Sequence, residues 1–129
     1  MSYPVLRVHL DVMESNMNKI VSKCAEHGIS VWAVTKGLSA PLELARRLSG
    51  TKVSALADSR IKNIRRMKED GIKTPFALIR IPMRSEIEDV IGLADYSLVS
   101  DIGTLELMSK VCEAKKKEHS VLLMADMGT

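Results

Sequence analysis

Short, almost wholly apolar runs recur along this chain at intervals of roughly 20 to 25 residues, and that spacing restricts its fold more than any other feature. Residues 31–34 end at Thr35 and Lys36, and residues 53–57 end at Asp58, Ser59 and Arg60. Residues 76–81 follow Pro75 and carry one charge, Arg80. Residues 96–99 end at Ser100 and Asp101, and residues 121–125 end at Asp126. A strand with one wet face alternates apolar and polar residues. These runs do not alternate, which is the pattern of parallel strands covered on both faces.

Helical patterns fill the gaps. Asp11 with Glu14 reads as a capping box, followed by an apolar stripe of Met13, Met17, Ile20, Val21 and Cys24 that Gly28 closes. Pro41 opens the next helix, whose inner side is Leu42, Ala45 and Leu48, with Gly50 after it. Ile61, Ile64 and Met67 form a third stripe, ended by Gly71. Ser85 with Glu88 reads as a second capping box before Ile87, Val90 and Ile91. Asp101 caps the last helix, with Leu105, Met108, Val111 and Cys112 inward. The methionines read as core filler rather than a ligand groove. Residues 5–10 alternate instead, and predict a half-exposed strand outside the main sheet.

Strand and helix in regular succession predict an α/β fold with parallel strands, and the even period favours a (β/α)₈ TIM-type barrel over a doubly wound sheet. A complete barrel takes about 250 residues. This chain has 129 residues and about five barrel strands, so residues 1–129 are expected to form the N-terminal portion of a barrel domain.

With 46% hydrophobic and 27% charged residues, the chain is not compositionally disordered. No run of about 18 apolar residues would cross a membrane, and no basic-then-apolar leader opens the sequence, so a cytoplasmic location is expected. The net charge of +3 does not point to nucleic acid, because basic and acidic residues are mixed. Lys115, Lys116 and Lys117 precede Glu118 and read as a solvated helix end. Cys24 and Cys112 sit in apolar stripes and read as buried free thiols, and no cluster has metal-ligand spacing. His9, His27 and His119 are isolated in sequence, His27 suiting a helix C-terminus.

Chemistry in parallel α/β folds gathers at the carboxyl ends of strands. Lys36 stands out there, after Trp32, Ala33, Val34 and Thr35 with no charged neighbour. A partly desolvated amine is ready to form a Schiff base with an aldehyde; the alternative is a lysine that snorkels to the surface. Arg60 and Arg80 suit bidentate capture of a carboxylate or phosphate, or ion pairs with Asp58 or Asp101. Neither glycine-rich phosphate fingerprint occurs, and no serine has a histidine base at a strand end.

Several segments carry a family resemblance. Residues 6–11 resemble a strand-to-helix opening, with His9 where an acidic residue is common, and residues 31–36 resemble a strand bearing a Schiff-base lysine. Residues 56–64 and 78–83, with Ser85 and Glu86, are the most particular. Residues 97–100 resemble a segment usually written with asparagine where Val99 stands, a difference expected to remove a polar contact. Together they resemble the alanine racemase-like, fold-type III pyridoxal-phosphate enzymes, in the branch of ornithine racemase and related amino-acid racemases. The resemblance implies pyridoxal 5'-phosphate on Lys36, which would act as one of two acid/base groups, with Ser59, Arg60 and Arg80 at the cofactor. It further implies a small amino-acid substrate, ornithine or another basic one, and a homodimer. The second acid/base group would come from a C-terminal domain not represented here, with Tyr3 and Tyr96 poor substitutes. A non-catalytic pyridoxal-phosphate homeostasis protein, an inactive barrel fragment, and a decarboxylase or aldolase on the same fold stand as alternatives.

Overall fold

In a computed structural model describing residues 3–128, the apolar runs become strands β1 (Trp32–Val34), β2 (Ala55–Asp58), β3 (Phe76–Leu78), β4 (Tyr96–Val99) and β5 (Ser120–Leu123). Between and before them lie α1 (Leu10–Ala25), α2 (Leu42–Gly50), α3 (Ile61–Glu69), α4 (Ile87–Leu93) and α5 (Ile102–Lys115), with 3₁₀ turns at Lys36–Leu38 and Arg84–Glu86. The strands form one parallel sheet in the order β1-β2-β3-β4-β5. Each strand lies beside its predecessor, so the described sheet lacks the order reversal of a doubly wound fold. It is the wall of a partial (β/α) barrel.

The two faces of the sheet are filled differently. Ala33, Leu56, Phe76 and Leu78 point to the helices and join Leu44, Leu48, Ile64, Met67 and Val90 in the main core. The opposite face carries Ala55, Ala57 and Ala77, all 0% exposed, under Trp32, Ile79 and Tyr96. Three methyl groups leave room for large neighbours, and the Trp32 and Tyr96 rings lie 5.1 Å apart at a 43° tilt. Burial on both faces holds for β2 and β3, whereas β5 is exposed along its length. An edge strand has no further neighbour to cover it.

Helix α3 shows what carries the packing. Ile64 and Met67 are wholly buried, each contributing about 1.5–3 kcal/mol. The Arg65–Asp89 ion pair on its outside is roughly half exposed and adds at most about 1 kcal/mol. The helix is therefore held by its apolar stripe. Gly71, at φ +92, ends it with a left-handed turn in which Ile72 N–H reaches Met67 O at 3.3 Å. Gly28 ends α1 in the same way.

Several local expectations are corrected. Residues 5–10 form no strand: Leu10 already opens α1, and the preceding residues are exposed and without a ladder partner. Asp11 and Glu14 do not cap α1; both accept hydrogen bonds from Arg47 of α2, at 3.0 and 2.8 Å. The capping role before α4 falls to Glu86 rather than Glu88, because its carboxylate accepts the Met83 N–H at 3.1 Å. Ile20 and Leu105 face solvent, and Leu107 packs inward in place of Leu105. Cys24 and Cys112 are free but only partly buried. Asp101 does cap α5, accepting the Thr104 N–H at 2.8 Å.

His119 is not isolated in space. Its Nδ1 donates to Ala94 O at 3.1 Å, which leaves Nε2 to accept the buried Ser97 hydroxyl at 2.8 Å. Burial, reinforced by the charge of Lys117, holds the imidazole below its ordinary value near 6.5. The unfolded chain therefore binds a proton that the fold resists, so stability rises with pH across this range. We expect denaturant stability to fall as pH drops from 7 through about 6.5. His119→Gln should flatten that slope above about pH 5, before carboxylates titrate. An unchanged slope in urea titrations would count against this pairing.

Candidate active site

Lys36 directly follows Thr35 at the carboxyl end of β1 and opens the Lys36–Leu38 turn. Its side chain is exposed, so this chain's own residues do not bury the amine as the desolvation argument expected. The backbone beneath it is firmly held. Thr35 is 2% exposed, its N–H reaches Ala57 O at 2.9 Å, and its hydroxyl donates to Asp58 Oδ2 at 2.7 Å.

Asp58, at the end of β2, is wholly buried and makes no ion pair among the described residues. Its other oxygen, Oδ1, accepts the Arg60 backbone N–H at 2.8 Å and the Asn63 side-chain amide at 3.1 Å. Three donors thus replace the lost water. The carboxylate joins the residue after β1, the end of β2 and the first turn of α3, which explains why it makes no pair with Arg60 or Arg80.

The topology places Ser59, Arg60 and Arg80 at the same end of the sheet as Lys36. Ser59 is half-buried, and Arg60 is exposed and makes no ion pair among the described residues. Arg80 is engaged within the chain. Its Nε donates to Ser59 O at 2.7 Å, and its two terminal nitrogens reach both Glu86 oxygens at 2.8 and 2.7 Å. The Arg80 fork holds the Glu86 carboxyl below its ordinary range. Arg80 therefore ties the β2 and β3 ends together, with Glu86 as the partner that sequence reasoning missed. Asp101 serves its helix instead. Val99 does not approach this end's open face: it is 1% exposed in the helix-side core with Ile87, Ile91 and Met108, so the polar contact expected to be missing there does not concern the open face. No group of three or more His, Cys, Asp or Glu could hold a metal among the described residues. No helix among them is long and apolar enough to cross a membrane.

The model of the alanine racemase N-terminal domain matches residues 8–129. The chain belongs to this family. It is 34% identical over 126 residues to ornithine racemase from Acetoanaerobium sticklandii, covering 98% of this chain and 35% of that protein. It is equally 34% identical over 128 residues to lysine racemase from Thermotoga maritima, covering 99% of this chain and 36% of that protein. The chain thus spans about a third of the length of both curated relatives. Among solved structures, D-threonine aldolase from Filomicrobium marinum superposes with a TM-score of 0.81 at 18% identity, over 98% of this chain and 35% of that one. PipY from Synechococcus elongatus with PLP bound superposes with a TM-score of 0.72 at 10% identity, over 86% and 55%. These two likenesses concern the fold.

For this alanine racemase N-terminal domain, the arrangement offers an accessible primary amine on a pinned turn. At the same end of the sheet are the Arg60 guanidinium, without an ion pair among the described residues, and the Ser59 hydroxyl. The partners of Thr35, Asn63 and Glu86 escaped sequence reasoning because they lie 23, 5 and 6 positions away. Only the Asp58–Arg60 contact had a local signal, an aspartate accepting the N–H two residues on. Asp58→Ala should cost about 2–4 kcal/mol of unfolding free energy, since it strands buried donors. Asp58→Asn should cost less, because its amide oxygen still accepts from α3 and the Thr35 hydroxyl can accept from its NH₂. Equal losses for both variants in urea denaturation would contradict this account.

Proposed function

We propose that this chain supplies the cofactor-lysine part of a pyridoxal-phosphate-dependent amino-acid racemase, as the N-terminal portion of its barrel domain. The proposed substrate is ornithine or another basic amino acid, and the assembled form is a homodimer. The observation that carries the reading is the accessible Lys36 on its fixed turn, in a chain 34% identical to racemases named for ornithine and for lysine. That the two names differ at equal identity supports a basic amino acid as the class.

The residues present fit the chemistry of the cofactor. An aldehyde requires an accessible amine, which Lys36 offers. A phosphate requires hydrogen-bond donors and positive charge, for which Arg60 and Ser59 are the available side chains here. Arg80 would bind an anion directly only by giving up Glu86, so its proposed contribution is to hold the Ser59 backbone in place. Pyridoxal phosphate, when bound, supplies an electron sink that acidifies the α-proton of an amino acid. Lys36 would hold the aldehyde carbon and carry a proton to or from the α-carbon on one side. Racemisation also needs a donor on the opposite side. Tyr3 is 78% exposed on the chain before α1, and Tyr96 packs against Trp32, so we assign that role to neither.

The test is covalent capture. Pyridoxal phosphate added to the purified protein should give the absorbance of a lysine-bound cofactor, and borohydride should fix it to the peptide containing Lys36. Lys36→Ala should lose both signals. We expect this 129-residue chain alone to racemise ornithine or lysine far more slowly than its full-length relatives. The absence of a reducible adduct on Lys36 in the wild-type chain would sink the reading. An adduct with no exchange of the substrate's α-proton would favour a cofactor-binding protein without turnover.

A further inference from the structure

The turn that carries Lys36 is held from both sides. Upstream, Thr35 is locked by Asp58. Downstream, Ser39 (φ 56) and Ala40 (φ 49) are consecutive left-handed residues, and neither is glycine. That conformation brings Cβ against the backbone of an L-residue and is rarely adopted twice in succession. Ala40 also precedes Pro41, a position that favours extended backbone. Such strain persists only where surrounding contacts over-determine it.

Ala40 is wholly buried, and its N–H reaches Thr35 O at 3.1 Å, while Ser39 N–H reaches Lys36 O at 3.1 Å. Arg66, from the middle of α3, places Nη2 2.6 Å from Ser39 O and 2.6 Å from Ala40 O. One guanidinium nitrogen has two hydrogens diverging in a plane, which suits two acceptor carbonyls at once. The bonds are charge-assisted and span 27 and 26 positions. They tie the end of the lysine turn to the same helix whose first turn is tied to Asp58.

We propose that Arg66 is a positioning residue for Lys36: by clamping the Ser39 and Ala40 carbonyls it keeps the left-handed turn closed and so sets where the amine stands at the sheet's carboxyl end. The consequence for chemistry rests on the reading of Lys36 as the cofactor lysine; the clamp itself rests on the turn alone.

Two measurements separate these layers. In the protein without cofactor, Arg66→Ala should speed amide hydrogen exchange within residues 36–40 by about tenfold, without comparable change in β2 and β3. Arg65→Ala, which removes the exposed pair with Asp89 on the same helix, should leave that segment unchanged. With pyridoxal phosphate as the probe, the rate at which the borohydride-reducible Lys36 adduct forms should fall about tenfold in Arg66→Ala. Adding Ser39→Gly and Ala40→Gly to Arg66→Ala should restore part of that rate, because glycine takes the left-handed conformation without strain. A general loss of stability would not be reversed that way.

Unchanged exchange at 36–40 in Arg66→Ala overturns the proposal, as does an Arg66→Ala adduct rate equal to wild type or the absence of glycine rescue. If the wild-type protein forms no adduct, the functional reading fails and the exchange data still decide the clamp. Should Arg66→Ala not fold, Arg66→Lys takes its place: a smaller acceleration confined to 36–40 supports the clamp, and none overturns it.

Discussion

Much of the carboxyl end of this sheet depends on one buried carboxylate. Asp58 has no counter-ion among the described residues, yet it is wholly buried, which is tolerable only because Thr35, the Arg60 N–H and Asn63 all donate to it. Those three donors come from the residue that follows β1, from the β2–α3 connection and from α3. A single polar atom group therefore couples the strand that bears Lys36 to the helix behind the next strand. Arg80 performs a parallel task one strand further on, bridging Ser59 O and Glu86. Arg66 works from the far side of the lysine turn. The polar side chains nearest the candidate site mostly position backbone, leaving Lys36 and Arg60 exposed.

The apolar part of the molecule is organised by size as much as by hydrophobicity. Ala55, Ala57 and Ala77 keep one sheet face shallow, so that Trp32 and Tyr96 fold over it. Leu56, Phe76 and Leu78 on the other face are large and meet the helices. β-Strand side chains alternate between faces, so each central run serves two environments while reading as uniformly apolar. The same geometry explains Val99, which lies on the helix side and not at the open face.

Legibility differed by type of contact. The strand period, the stripes of α2, α3 and α4, the Asp101 cap and the left-handed glycines at 28 and 71 were readable, because each is a regularity within a few residues of chain. The Arg47 pairs with Asp11 and Glu14, the Arg80–Glu86 fork and the His119–Ser97 bond were not, because a side chain's partner depends on which elements become neighbours. Residues 5–10 show the converse failure: an alternating pattern is local, but a strand needs a neighbour to receive its hydrogen bonds.

By itself, the sequence determined the α/β succession, the parallel and sequential order of strands, and the place of Lys36 at the end of the first of them. These follow from apolar periodicity and breakers, which act over short stretches of chain. Only the tertiary structure decided that Lys36 is exposed, that Asp58 is buried with no ion pair among the described residues, and that Arg66 holds two backbone carbonyls while Arg80 holds a carbonyl and the Glu86 carboxylate. The physical reason is that burial and hydrogen-bond partnership are properties of the assembled surroundings. A polar side chain takes the partner that packing brings within about 3 Å, wherever it lies in sequence.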